Sequence, residues 1–193
     1  MATASRLGPS WPVETERLRL RPFAEADLDW LHRVYGDEDV VRWLVHETRS
    51  LRQVRELLTK KIAGTTVATD GDWLSAAVEV RDTGQLVGDC ALQLVSREHR
   101  LGEIGFLFDP AHQGRGYATE AARAFLGIAF DDLGLHRVIG RVEPRNGPST
   151  RVLEKLGMRC EAHFVENELI KGEWQSELVY ALLEREWRDG AGE

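Results

Sequence analysis

The chain predicts one mixed α/β domain, built on a mostly antiparallel sheet of about seven strands with helices along its flanks. Three observations carry that expectation. Apolar residues recur at helical spacing in the first third and in two later stretches. Short β-rich runs separated by turn residues fill the middle and the end. One strand, loop, helix and strand in succession, from Glu103 through Ala118 to His136, requires a crossover and therefore a parallel strand pair.

Taken in order, Arg17 to Arg21 alternates apolar and charged residues and stops at Pro22, as a half-buried strand near an edge does. Leu28, Leu31 and Val34, widened by Trp30 and Tyr35, mark an amphipathic helix over Glu25 to Tyr35, and Asp37 to Leu44 reads as a shorter one. Ser50 and Gln53 have capping-box spacing, and the stripe Leu51, Val54, Leu57, Leu58, Ile62 runs to Gly64. Trp73 to Val80 and Gln85 to Val95 form a hairpin about Asp82-Thr83-Gly84. Glu103 to Phe108 is the next strand, Ala118 to Asp132 a helix, His136 to Val142 a strand, and Ser149 to Leu156 a helix stopped by Gly157. Met158 to Ile170 and Trp174 to Leu183 flank Lys171-Gly172-Glu173 as a second hairpin.

With 193 residues the chain is one domain, expected to span residues 15–187 between a flexible arm at 1–14 and a tail at 188–193. Such a domain buries about 70% of its unfolded surface, enough to fold without disulfides or metals. A net charge of −7 argues against nucleic-acid binding and suits a cationic partner. No apolar run approaches the ~20 residues of a membrane span, and Met1 to Pro12 lack the apolar core of a secretory signal, so the cytoplasm is the expected compartment. Cys90 and Cys160 stand in different strands with no Cys/His cluster, which predicts two packed, reduced thiols and no metal. Whether the protein is a monomer or a homodimer is left open.

Function enters through Gln113-Gly114-Arg115-Gly116-Tyr117-Ala118-Thr119-Glu120, between a strand and a helix. Glycines let backbone approach a ligand closely, and the unpaired N–H groups of a helix start favour an anion, so this is a cradle for pyrophosphate. A dinucleotide loop would place a third glycine where Thr119 stands and would follow its strand directly. A nucleoside triphosphate loop would continue with Gly-Lys-Ser/Thr, which is absent.

Gln113-x-x-Gly116-x-Ala118 resembles the (Gln/Arg)-x-x-Gly-x-(Gly/Ala) loop of the GNAT superfamily of acetyl-coenzyme A dependent N-acetyltransferases. Ile104 to Pro110 before it, Asn146 to Met158 after it, and Thr15 to Arg21 near the start resemble the branch of ribosomal-protein N-terminal (Rim-type) acetyltransferases. The resemblance implies a central parallel strand pair that splays, with the pantetheine arm on backbone of Phe106, Leu107 and Phe108 and the Leu107 N–H facing the thioester carbonyl. It also implies pyrophosphate on the amides from Gly114 through Tyr117 to Thr119, with side-chain contacts from Gln113 and Arg115, and Asn146 bonded to pantetheine.

Direct acetyl transfer needs a neutral amine, a stabilised oxyanion and a proton for the departing thiolate. The resemblance makes Glu168 the first candidate for base; Glu103, on the strand that would hold the cofactor, is the second and Glu143 the third. The resemblance makes Ser149 the candidate acid, since Leu153 stands where many relatives carry a tyrosine; a serine at a helix start also ordinarily caps it. Trp30, Trp43, His46, Trp73 and Trp174 are candidates for the acceptor wall. The acceptor is an amine, either small or a protein N-terminus, and a binding module that senses acyl-coenzyme A without turnover is the alternative.

Overall fold

A computed structural model describes residues 6–190. Its strands are β1 (Val13–Glu14), β2 (Leu18–Arg21), β3 (Trp73–Val80), β4 (Leu86–Ser96), β5 (Leu101–Phe108), β6 (Arg137–Val142), β7 (Arg159–Ile170) and β8 (Glu173–Leu183). Its helices are α1 (Leu28–Tyr35), α2 (Glu38–Val41), α3 (Leu51–Ala63), α4 (Tyr117–Gly127), α5 (Gly147–Lys155) and α6 (Glu184–Gly190). The eight strands make one sheet in the order β1-β2-β3-β4-β5-β6-β8-β7, antiparallel throughout except at β5–β6.

Over its central strands both faces of the sheet are covered, which is why β3 reads as a nearly continuous apolar run, whereas β7 is exposed along almost its whole length. Ala76 and Val78 pack into a core with Phe125, Leu126 and Leu153 from α4 and α5, while Ala77 faces a second core with Leu31, Val34, Val54 and Leu58 from α1 and α3. The capping box at α3 forms as its spacing predicts, with Ser50 N donating to Gln53 Oε1 at 2.9 Å. Helix α4 continues as a π-helical turn over Ile128–Asp132.

Four details depart from the sequence reading. The eighth strand is β1, in a segment composition assigns to a loose arm: Val13 and Glu14 pair with Leu20 and Arg19, Leu7 bridges Val67, and Trp11 Nε1 donates to the Thr65 carbonyl at 3.2 Å. Two residues of strand offer no periodicity to read. Residues 188–190 of the expected tail are the end of α6, whose start is fixed by Leu183 N donating to Glu186 Oε2 at 2.8 Å; residues 1–5 and 191–193 lie outside the described residues. Only Cys90 is packed, its thiol pushed up by burial, whereas Cys160 is exposed on β7. The second helix is four residues long rather than reaching Leu44. Among the described residues no helix is long and apolar enough to cross a membrane.

What positions the site is the short pairing of β5 with β6. Their register covers Leu101↔Arg137, Gly102↔Val138 and Glu103↔Ile139, then stops, although β5 runs on to Phe108 and β6 to Val142. The far edge of β5 stays bonded to β4 as far as Phe108, so the strands part only on one side.

Candidate active site

Beyond Glu103 the parted strands border a cavity of about 910 Å³, lined by Glu103–Phe108 on one side and Gly140–Glu143 on the other. Backbone groups on the parted edges have no β-ladder partner, and an unpaired buried group costs about 1–3 kcal/mol, so an extended amide-bearing arm suits this opening. Gly105 keeps it open: a Cβ built there meets nothing within 4 Å. Gly140 instead serves packing, since a Cβ would come within 2.8 Å of Leu153 Cδ2, which draws α5 tightly onto β6.

The same cavity reaches the glycine loop. Gly114 (φ 75°) and Gly116 (φ 82°) are left-handed, and Gly116 is the N-cap of α4. Left-handed glycines here let the loop approach a ligand closely, and the first N–H groups of α4 have no intrahelical partner. The loop is bolted to the start of β2. Thr15 Oγ1 donates to Glu120 Oε1 at 2.6 Å, Arg17 Nε to Glu120 Oε2 at 2.7 Å, and Arg17 Nη1 to the Arg115 carbonyl at 2.9 Å. Burial alone would raise Glu120, but these hydrogen bonds outweigh it and hold the carboxyl below its ordinary range. Gln113 lines the cavity while its Nε2 donates to the Phe108 carbonyl at 3.2 Å; Arg115 is exposed and does not line it. Tyr117 packs beside the loop with Arg17 over its ring at 5.1 Å.

Phe106, Leu107, Phe108, Ala118, Thr119, Asn146, Ser149, Glu103 and Glu168 all border this one cavity. The N-cap of α5 is Asn146, whose Oδ1 accepts from Ser149 N at 3.3 Å, so Ser149 is not the cap and its hydroxyl has no partner among the described residues. Glu103 stands where the strands part. Arg141 Nε is 3.2 Å from its Oε2 while Arg141 Nη1 lies 3.2 Å from Glu177 Oε1. Burial raises the Glu103 carboxyl above its ordinary value, with Glu177 adding to that and Arg141 opposing it. Glu143 is paired with Arg145 at 2.8 Å. Glu168 is exposed on β7 opposite Gln175 and has no ion pair among the described residues.

The other end of the cavity lies between the segment after α1 and the β7–β8 hairpin. Of the five residues expected at an acceptor wall, Trp43, His46 and Trp73 line this cavity; Trp30 does not line it, and Trp174 is 61% exposed outside it. Lys171 and Gly172 are both left-handed, and Lys171 Nζ donates to the Val41 carbonyl at 2.7 Å, tying the hairpin turn to the end of α2. Sequence reasoning missed Arg141 and Glu177, and also a buried group behind the wall. There Lys61 Nζ lies 2.6 Å from Asp89 Oδ2, which accepts from the Tyr35 hydroxyl at 2.9 Å. Lys61 falls three residues after Leu58 on the buried stripe of α3, a spacing that could have revealed it. Among the described residues no cluster of three or more His, Cys, Asp or Glu could hold a metal.

Comparison with known proteins gives a match to the family model described as acetyltransferase (GNAT) domain over residues 17–159. A curated Bacillus subtilis protein, uncharacterized N-acetyltransferase YnaD, is 33% identical over 176 residues, covering 91% of this chain and 98% of its own. Spermidine N(1)-acetyltransferase of Vibrio cholerae is 27% identical over 161 residues, covering 82% and 88%. The crystal structure of a GNAT-family acetyltransferase from Bacillus anthracis superposes with a TM-score of 0.81 at 33% identity, over 90% of this chain and 99% of that one.

Proposed function

The chain belongs to the GNAT family of acetyltransferases and is an acetyl-coenzyme A dependent N-acetyltransferase; on that footing we propose that its acceptor is a small, cationic primary amine. The observation that carries this reading is the continuity of one cavity from the glycine loop, past the parted strands, to the exposed carboxylate of Glu168. The unpaired N–H groups at the start of α4 suit the pyrophosphate, and backbone of Phe106 to Phe108 suits the pantetheine, with the Leu107 N–H as oxyanion donor. Acetyl-coenzyme A supplies an activated thioester. Ser149 gives a proton to the departing sulfur, and the side-chain amide nitrogen of Asn146 is left for the pantetheine.

Three features support a small amine over the ribosomal-protein N-terminus that the sequence resemblance implied. The Lys171 bond to Val41 ties the two acceptor walls together. Glu168 offers an unpaired negative charge for an ammonium, and the whole chain carries −7. The Vibrio cholerae relative is a spermidine N(1)-acetyltransferase. Incubation with labelled acetyl-coenzyme A and a panel of polyamines, other small amines and N-terminal peptides tests the reading. Label in a polyamine or other small cationic amine supports it, label in peptides alone returns the acceptor to a protein N-terminus, and coenzyme A binding with no transfer identifies a sensor.

A further inference from the structure

We propose that His46 is the group that takes the proton from the acceptor amine, through its Nε2. The inference rests on the acetyl-transfer reading above and changes which residue acts as base. His46 lines the acceptor end of the main cavity. Its Nδ1 lies 2.8 Å from the Glu47 carbonyl oxygen. A carbonyl only accepts, so Nδ1 carries the hydrogen and, in the neutral ring, the lone pair sits on Nε2, which has no partner among the described residues.

The ring is held on a buried pedestal. It stacks on Tyr35 with centroids 5.7 Å apart and planes 17° from parallel, and Tyr35 is fixed through its hydroxyl to Asp89 and from there to Lys61. Burial and the neighbouring Asp89 carboxylate keep the Tyr35 phenol neutral by raising it well above its ordinary range. Glu168 shares the main cavity with His46, and Glu47, Glu56 and Lys60 border a neighbouring depression, while the two cations whose charge bears on its ring are Arg49 from the start of the α3 segment and Lys171 from the β7–β8 turn. Burial first, then these two cations, lower the imidazole below its ordinary 6.5 against the opposing Glu47 hydrogen bond. The ring is therefore uncharged at neutral pH and able to accept. Glu168, by contrast, is exposed, and Glu103 is committed to Arg141.

His46 also borders a second depression of about 430 Å³, whose wall includes Glu47, Glu56 and Lys60. A ring that borders both spaces has open room beside it through which a proton taken up on Nε2 can pass to solvent. In the proposed step the acceptor arrives as an ammonium and Nε2 takes one N–H proton, which frees the nitrogen lone pair. That pair forms the N–C bond to the thioester carbon, and the C–S pair leaves on sulfur. Ser149 passes its hydroxyl proton to sulfur and recovers one from the new amide nitrogen, so the net products are the amide, the thiol and a protonated His46 that discharges to water.

The test is a pH–rate profile of the full chain with an amine found active in the panel above. The wild type should show kcat rising with pH through a midpoint below 6.5, the lowered value. H46Q should remove that rise and lower kcat roughly 10²-fold, the smaller end of general-base effects, with the KM for acetyl-coenzyme A unchanged. Added imidazole should restore part of the rate. Carbon-13 NMR of labelled histidine in the wild type should give His46 the kinetic midpoint, a readout that does not depend on how the variant folds. The proposal is overturned if H46Q retains the rise while E168Q loses it, or if His46 titrates away from the kinetic midpoint. If the wild type acetylates nothing, it is the acetyl-transfer reading that fails.

Discussion

Ser149 is available for chemistry because Asn146 caps α5 in its place. Ser149→Ala is therefore expected to lower kcat, by roughly 10²-fold, with little change in melting temperature or in acetyl-coenzyme A affinity. Asn146→Ala should show a stability loss of about 1 kcal/mol, the usual worth of such a cap, measurable by urea denaturation. A selective fall in cofactor affinity on Ser149→Ala would instead make that hydroxyl a binding group. Glu168→Gln removes a cavity-lining carboxylate that has no ion pair among the described residues, so its expected signature is a rise in the KM for a cationic amine with kcat nearly kept. Glu120 has its carboxyl held low by Thr15 and Arg17, and the sign follows. Its contribution to stability is complete above the ordinary carboxyl value of 4.5 and is lost as pH falls through the lowered folded value. Thermal melts should therefore fall through that range in the wild type and lose part of that slope in Glu120→Gln.

At the scale of elements, the parted pair β5–β6 and the loop ahead of α4 make the site, and each can be perturbed without the other. Gly105→Val puts a β-favouring side chain into open space, so the fold should hold while coenzyme A binding, followed by calorimetry, is lost. Gly116→Ala forces a Cβ onto φ 82° and should weaken binding and stability together. Lys61→Met should cost about 3–5 kcal/mol by leaving Asp89 charged and buried, read by denaturation. Most elements were legible because their periodicities are strong, as in the α3 stripe with its Ser50 cap. What was legible of the candidate site is the left-handed glycine loop and the strand ahead of it, which border one cavity. What lacked a local signal was missed. The pairing of β1 depends on a partner strand, the Arg141 bridge to Glu103 and Glu177 joins three strands, and the setting of His46 comes from residues between positions 35 and 89 that meet only in the fold.

For the whole molecule, a sheet whose central strands are covered on both faces and whose β5 and β6 part leaves a long passage bordered by the glycine loop at one end and by the Glu168 carboxylate at the other. That layout suits both substrates being present together, the amine entering from the hairpin side and acetyl-coenzyme A from the loop side. A negative chain draws a polycation towards it, and salt should weaken that attraction more for a polyamine than for a singly charged amine. The most direct measurement is initial-rate kinetics of acetyl transfer from labelled acetyl-coenzyme A to a polyamine, with both substrates varied. Intersecting double-reciprocal lines and label in the polyamine are the predicted result. Parallel lines, or coenzyme A binding with no labelled amine from any acceptor, would contradict direct transfer across the parted strands.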